Sequence, residues 1–178
     1  MTTEQVLITL QAARETTSHY NDLTAFDAAV FRTMGLGVGL NSLASGAVLL
    51  LFLLHRDATH RSAYLWGIRL GLFVFLLGSL EGMQMVARSA HTVGLADGGP
   101  GIPMLNWSTR GGDLRIAHFL GIHGLQALPL AGYLIDRIWR GRSVAFKRAA
   151  VVGVTAAWVG LTWAAFAAAV AGSAWLPG

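Results

Sequence analysis

Four long apolar segments constrain this chain more than any other feature of its sequence. A helix that crosses a bilayer needs about 20 mostly apolar residues. Charged residues make up 12% of the chain, about half the share found in soluble domains. The sequence therefore predicts an all-α integral membrane protein: a bundle of four transmembrane helices in a single domain, 1–178. The predicted spans are Thr33 to Leu54, Tyr64 to Ala87, Leu114 to Trp139 and Arg148 to Trp175.

The N-terminal segment, residues 1–32, is too polar to cross a membrane. Thr3 can cap a short helix that reaches Glu15, and Asp22 can cap a second one. Apolar side chains such as Leu10 share one side of the first helix, which is typical of a helix lying in the membrane interface. We therefore expect an interfacial amphipathic helix here.

Basic residues cluster in two short connections, 55–61 and 137–148. By the positive-inside rule both connections face the cytoplasm, so both termini and the loop 89–113 lie outside. The net charge of +4 is explained by this placement beside apolar segments, and lipid head groups are better partners for it than nucleic acid. The bilayer is the first predicted partner, and no nucleic acid is expected.

The loop 89–113 is much longer than the usual connection of about 4 to 6 residues. Its prolines restrict the backbone, and its glycines permit turns with positive φ. Asp97 can close a turn through its side chain, and Asp113 can cap the following helix. We expect an ordered outer loop that covers the bundle. The alternative is a tight connection that has no ligand.

Glu81 is the only carboxylate that lies more than one helical turn from the end of a predicted span, and such a group usually faces a partner or a cavity. Depth along the helices, at about 1.5 Å per residue, places Asn41, Glu81, His123 and Thr162 in one polar layer in the outer half of the bundle. Polar residues in bundles often serve only as interhelical hydrogen bonds, and that interpretation is favoured for Asn41, Ser45 and Thr162. For Glu81 with His123, a functional role is favoured.

Helical angles refine the candidate site. At about 100° per residue, Glu81, Met85 and Arg88 share one face of the second span. His118 lies about 140° around its helix from His123, so the two are unlikely ligands of one metal from a regular helix. The predicted cofactor-binding residues are His118, His123, Glu81, Met85, Gln126, Arg88 and Arg115. The predicted metal ligands are His123, His118, His91 and Glu81.

Three classes of function fit these residues. The first is a haem b, copper or zinc cofactor, with arginines on the haem propionates. The second is a proton-handling site at Glu81, or a quinone-like ligand bonded by His123 and Gln126. The third is an accessory membrane subunit, or a homo-oligomer formed through Gly/Ala helix faces, whose polar layer only fixes packing. Catalytic motifs are missing and the chain has no cysteine, so no catalytic residue is predicted.

Small residues at helical spacing mark the predicted contacts between spans. Gly67 and Gly71, like Gly78 and Gly82, are four apart on the second span, and small residues let helix backbones approach closely. Gly153 and Gly160 lie seven apart on the fourth. The glycines at 35, 37 and 39 fall inside the first span, which favours packing over a nucleotide-binding loop.

The loop also carries a resemblance. The stretches His91-Thr92-Val93-Gly94, Asp97-Gly98-Gly99-Pro100-Gly101, Asn106-Trp107-Ser108 and Gly112-Asp113-Leu114-Arg115, followed by Ala117-His118-Phe119 and His123, resemble small polytopic membrane proteins of bacteria. The resemblance covers roughly residues 78 to 132. It implies a multi-pass protein of the bacterial inner membrane, and it implies no activity.

Overall fold

The computed structural model describes residues 2–54 and 62–175. Within those residues the chain is mostly helical, as the sequence predicts. Outside the helices, the described residues also form one short antiparallel pair of strands. The elements are α1 (Thr2–Ala13), α2 (Ala25–Leu54), α3 (Ala63–Arg88), β1 (Thr92–Val93), β2 (Gly112–Asp113), α4 (Leu114–Ile138) and α5 (Val144–Val170).

Three of the described helices, α2, α3 and α5, are long and apolar enough to cross a membrane, with mean hydropathies of 2.0, 1.7 and 1.7. A membrane protein is therefore plausible on length and composition. The helix α4 has the length of a span, but it does not belong to this group. It carries two histidines, and its small buried residues, such as Gly121 and Gly124, contribute little hydropathy.

The described chain divides into two compact units, Met1–Ala47 and Val48–Gly178. In the first unit, α2 begins earlier than the predicted span and takes in the residues assigned to a second interfacial helix. Thr24, rather than Asp22, organises this start, because the Asp27 backbone N–H donates to Thr24 Oγ1 at 3.1 Å and Thr24 Oγ1 donates back to Asp27 Oδ2 at 2.6 Å.

Asp27 also joins α1 to α2. Its side chain is nearly buried, and Gln11 Nε2 and Arg14 Nη1 donate to its Oδ1 at 2.9 and 2.6 Å. A buried carboxylate and a buried amide are both costly without hydrogen-bond partners. Gln11 is fully buried near the end of α1, and its bond to Asp27 supplies each of the two side chains with a partner. The pair of helices is held by polar contacts and not by an apolar stripe alone.

The second unit is built on α3, α4 and α5. The helices α3 and α4 are antiparallel, since Gly67 meets the backbone of Leu128 whereas Gly78 meets Gly121. At one end of this unit, Ala63, Ile135 and Val151 form a buried apolar cluster that joins all three helices. At the other end, Ile116, Ala117 and Ala165 join α4 to α5.

The loop between α3 and α4 closes at a narrow neck. Thr92 pairs with Asp113 and Val93 with Gly112, and Leu114 N donates to His91 O at 3.0 Å. The residues that enter and leave the loop are therefore bonded to each other only a few residues beyond the helix ends. Within the loop, Gly101 pairs with Ser108 in a further antiparallel bridge.

Candidate functional site

A line of glycines brings α3 and α4 into backbone contact. A Cβ atom on Gly78 would lie 2.6 Å from the carbonyl carbon of Gly121, and one on Gly121 would lie 2.6 Å from the Cα of Gly78. Real side chains do not fit at that distance, so the two helices approach as closely as helices can. We call this contact the glycine seam. It comprises Gly67, Gly71, Gly78, Gly82, Gly121, Gly124 and Gly132.

Glu81 lies beside the glycine seam, deep in α3. Its side chain is 12% exposed, and neither carboxylate oxygen has a hydrogen-bond partner among the residues that the structure describes. Buried polar groups are nearly always hydrogen-bonded, and a buried charge without a partner is expensive. An exception of this kind requires an explanation beyond packing.

His118 of α4 is the ionisable neighbour of Glu81. Its Nδ1 lies 3.8 Å from Glu81 Oε2, which is beyond hydrogen-bond distance, and 2.8 Å from the carbonyl oxygen of Gly78. A carbonyl can only accept, so Nδ1 carries the proton and donates to Gly78. The imidazole lies against Gly82, where a Cβ would come within 2.6 Å of its Cε1 atom. Gly82 therefore provides the room that the ring occupies.

His123, the partner suggested by depth, does not reach Glu81. Its Nδ1 donates to Phe119 O at 2.8 Å, and its ring packs on that of Phe119 with centroids 3.9 Å apart. Within the described chain, Glu81 has one histidine nitrogen within 4.0 Å, and it belongs to His118. Gln126 is exposed on another side of α4. The structure places His118, and not His123, beside Glu81, because the register of α3 against α4 rather than the distance from the helix ends decides which residues meet.

Met85 and Arg88, which were predicted to share a face of α3 with Glu81, lie in different environments. Met85 is buried at 7% exposure, whereas Arg88 is exposed and donates to the Gln84 side chain at 2.7 Å on its own helix. Arg88 is thus not a partner of Glu81. Of this predicted face, Glu81 and Met85 lie inward.

Asp97 holds the start of the loop between α3 and α4 together. The backbone N–H groups of His91 and Thr92 donate to it at 2.9 Å each, Thr92 Oγ1 donates at 2.6 Å, and His91 Nδ1 lies at 2.7 Å. Burial alone would raise the pKa of Asp97, but these hydrogen bonds outweigh burial and hold that pKa well below its usual range. The predicted metal ligand His91 is engaged here, in a turn.

Asp113 and Arg115 form the second anchor of the loop. The prediction that Asp113 caps α4 is confirmed, since its Oδ1 accepts the Arg115 backbone N–H at 3.0 Å. Its Oδ2 accepts from Ser108 N and from Arg115 Nη2, both at 2.7 Å. Arg115 also donates to the carbonyl oxygen of Asn106 at 2.5 Å. The predicted role of Arg115 toward a cofactor gains no support from this geometry, because its guanidinium already holds the loop.

One hydrogen bond between α4 and α5 comes from a residue that the sequence did not single out. Trp158 Nε1 donates to Leu120 O at 2.9 Å. The signal was available, since an indole N–H inside an apolar helix needs an acceptor. Thr162, by contrast, donates to Trp158 O on its own helix at 2.9 Å, so its predicted interhelical bond was wrong. In the first unit, Asn41 lines a cavity of about 210 Å³ together with Thr3 and Glu4.

The predicted metal ligands do not come together. Among residues 2–54 and 62–175, no group of three or more His, Asp or Glu side chains is placed to hold a metal ion. Comparisons with protein-family models, with curated proteins and with solved structures find no match. The arrangement of Glu81 and His118 therefore has to be interpreted from its own chemistry.

Proposed function

We propose that this chain is a four-span membrane protein that exchanges protons at the Glu81–His118 pair. One observation carries the proposal: a nearly buried carboxylate without a hydrogen-bond donor among the described residues lies 3.8 Å from an imidazole nitrogen. Intramembrane ionisable residues are costly and often mark proton relays. A neutral residue would fill this position at lower cost, which favours a function that needs a titratable group.

The chemistry requires a small movement of one side chain. In the described arrangement His118 Nδ1–H donates to Gly78 O, and Glu81 has no donor from a described residue. When Glu81 loses its proton, the carboxylate attracts the same N–H, and the ring turns by roughly 1 Å toward Oε2 to reach hydrogen-bond distance. When Glu81 is protonated again, the ring returns to the carbonyl. The proton on Glu81 thus selects between two positions of His118.

The four-span topology is part of this proposal. The helix α4 has 25 residues and is about 37 Å long, which is enough to cross a hydrocarbon core of about 30 Å. It packs against both α3 and α5 through buried apolar clusters. We place both termini and the outer loop on the outside of a bacterial inner membrane. The basic connection 55–61, on which this orientation partly rests, lies outside the described residues.

Infrared spectroscopy can test the proton exchange directly. The purified protein, reconstituted in lipid, should show a protonated carboxyl band that disappears as the pH is raised and that is missing in Glu81→Gln. His118→Gln should move the midpoint of that titration, whereas His123→Gln serves as the matched control and should leave it unchanged. In vesicles that contain a pH-sensitive dye, Glu81→Gln should also lower proton flux. A spectrum of Glu81→Gln identical to that of the unsubstituted protein would exclude the site.

The cofactor hypothesis has a separate test. A haem would require histidine or methionine ligands, and both His118 and His123 donate through Nδ1 to helix carbonyls, which leaves their Nε2 atoms as the available ligands. Visible absorption and elemental analysis of protein from a host supplied with haem, copper and zinc would decide. A Soret band that is lost in His118→Ala or in His123→Ala would support haem binding in place of proton exchange. A quinone-like ligand at His123 and Gln126 would instead be found in a lipid extract of the purified protein.

An uncovered face of α5 favours a second candidate, an accessory subunit or a homo-oligomer. Gly153 and Gly160 are exposed, and a Cβ on either would meet nothing within 4 Å among the described residues. Small residues on a lipid-facing surface allow another helix to approach closely. Chemical crosslinking in membranes should then trap a dimer or a complex, and Gly153→Leu should prevent it. Crosslinking that is unaffected by this substitution would argue against the face as an interface.

A further inference from the structure

Arg148 and Arg69 lie around one indole, at the end of the second unit where α3 and α5 begin. Their guanidinium carbons are 5.6 and 5.8 Å from the ring centroid of Trp66. Trp66 itself packs against the buried cluster of Ala63, Ile135 and Val151. The indole is therefore fixed by α3, α4 and α5 together, and the arginines are fixed relative to it. We call Trp66, Arg69 and Arg148 the indole–arginine cluster.

Two donors of this cluster have no acceptor among the described residues. Arg148 Nε and Trp66 Nε1 are buried and have no hydrogen-bond partner among the described residues. No carboxylate of a described residue lies within 4.0 Å of Arg148. Arg69 donates through Nη2 to Phe52 O at 2.7 Å, which orients its guanidinium. Buried donors without acceptors indicate a site for an acceptor that comes from outside the chain.

Asp136, a described carboxylate at this end of the second unit, is already engaged. Asp136 Oδ1 lies 3.5 Å from Lys147 Nζ, and its Oδ2 accepts from Tyr64 N at 3.0 Å. The two helix N-termini, capped by Ser62 and Ser143, add the positive ends of their dipoles. The antiparallel helix α4 ends here as well, so its dipole offsets part of this effect, and the arginine charges and the buried donors are what favour an anion.

The depth of the cluster identifies the kind of anion. Arg69 lies about 9 Å along α3 from its first residue, and Arg148 about 6 Å along α5. Since α3, at about 39 Å, exceeds the hydrocarbon core of about 30 Å, both arginines lie close to the boundary between acyl chains and head groups. Phosphodiester oxygens occur at that depth, and basic pockets between transmembrane helices bind acidic head groups.

We propose that the indole–arginine cluster binds the phosphodiester of an anionic phospholipid. The planar guanidinium of Arg148 presents paired donors to phosphate oxygens, the indole N–H of Trp66 supplies a further donor, and Arg69 adds positive charge. The acyl chains would lie along the exposed apolar surfaces of α3 and α5. This site is independent of the Glu81–His118 pair, which lies farther along α3.

Native mass spectrometry and thermal unfolding in detergent can test the site, with phosphatidylglycerol, phosphatidylcholine or inorganic phosphate as the probe. We expect phosphatidylglycerol to stabilise the full chain and to remain bound, and phosphatidylcholine to do neither. Arg148→Gln should weaken phosphatidylglycerol binding by roughly five- to ten-fold, the effect of one basic side chain near a membrane surface. Trp66→Phe keeps an aromatic ring but removes the indole N–H, and it should weaken phosphatidylglycerol binding by a smaller factor than Arg148→Gln does.

Arg142→Gln is the matched control, because Arg142 also stands over an aromatic ring, that of Phe146 at 5.4 Å, but is exposed. It should bind the lipid as the unsubstituted protein does. Equal loss in Arg142→Gln and Arg148→Gln would overturn the proposal in favour of diffuse charge attraction. Equal stabilisation by inorganic phosphate would overturn the assignment to a lipid. If Arg148→Gln does not fold, unchanged lipid binding in Trp66→Phe and in Arg148→Lys would together reject the cluster.

Discussion

Gly82 of α3 lies against the imidazole of His118 on α4, at a position where any Cβ would come within 2.6 Å of the ring. The glycine thus does more than permit helix packing, because it determines where the histidine stands relative to Glu81. A substitution at this position therefore tests the placement of the His118 ring separately from the close approach of the two helices.

Gly82→Ala should displace the His118 ring and lower stability by about 1 to 3 kcal/mol, the usual cost of overpacking. Gly78→Ala should cost more, since its Cβ would meet the Gly121 backbone, which cannot turn away as a side chain can. Gly153→Ala is the control, because that position is open and alanine favours helix by about 1 kcal/mol. Thermal unfolding in detergent would measure all three. Equal effects at Gly82 and Gly153 would contradict the contact.

Glu81→Met should stabilise the protein by about 1 to 3 kcal/mol, because it removes a buried polar group that no described residue bonds and keeps the volume. The same substitution should abolish proton exchange. In a double-mutant cycle, Glu81→Met and His118→Leu should couple by about 0.5 kcal/mol or more, whereas Glu81→Met and His123→Leu should be additive. Destabilisation by Glu81→Met would mean that the carboxyl has a structural partner.

The loop between α3 and α4 should be sensitive to acid. The folded-state pKa of Asp97 is depressed, so its contribution to stability is present above the unfolded value of about 4 and is lost as the pH falls toward the folded pKa. Asp97→Asn should cost about 1 kcal/mol at pH 7, a figure reduced because the side chain is 36% exposed. Limited proteolysis of the loop at pH 7 and at pH 3 would measure the change. Asp22→Asn, at an exposed carboxyl, should leave cleavage unchanged.

Single cysteines can establish the orientation, because the chain has none of its own. Gly99→Cys in the loop should react with an impermeant reagent applied from outside, and Gly141→Cys between α4 and α5 should not. Both glycines are exposed, with open space at the Cβ position, so neither substitution disturbs packing. The opposite labelling pattern would invert the topology, and labelling of both from outside would eliminate α4 as a span.

The sequence predicted the helices well because length and apolarity are local properties. It also singled out Glu81, since a lone carboxylate in an apolar run stands out without any knowledge of its neighbours. The partner of Glu81 could not be predicted in the same way. The small-residue spacing indicated that α3 would pack closely, but only the contact of Gly78 with Gly121 sets the register that brings His118 to Glu81. The bond from Trp158 to Leu120 depends on a similar register between α4 and α5.

The neck of the loop between α3 and α4 determines where this protein can accept changes in sequence. Because Thr92 pairs with Asp113 and Leu114 N bonds to His91 O, the spacing of α3 and α4 is fixed before the loop proper begins. Insertions, deletions or grafted epitopes between residues 94 and 107 would then leave the helix pair in place. The loop can therefore accept new sequence, whereas the glycine contacts between α3 and α4 tolerate almost no substitution.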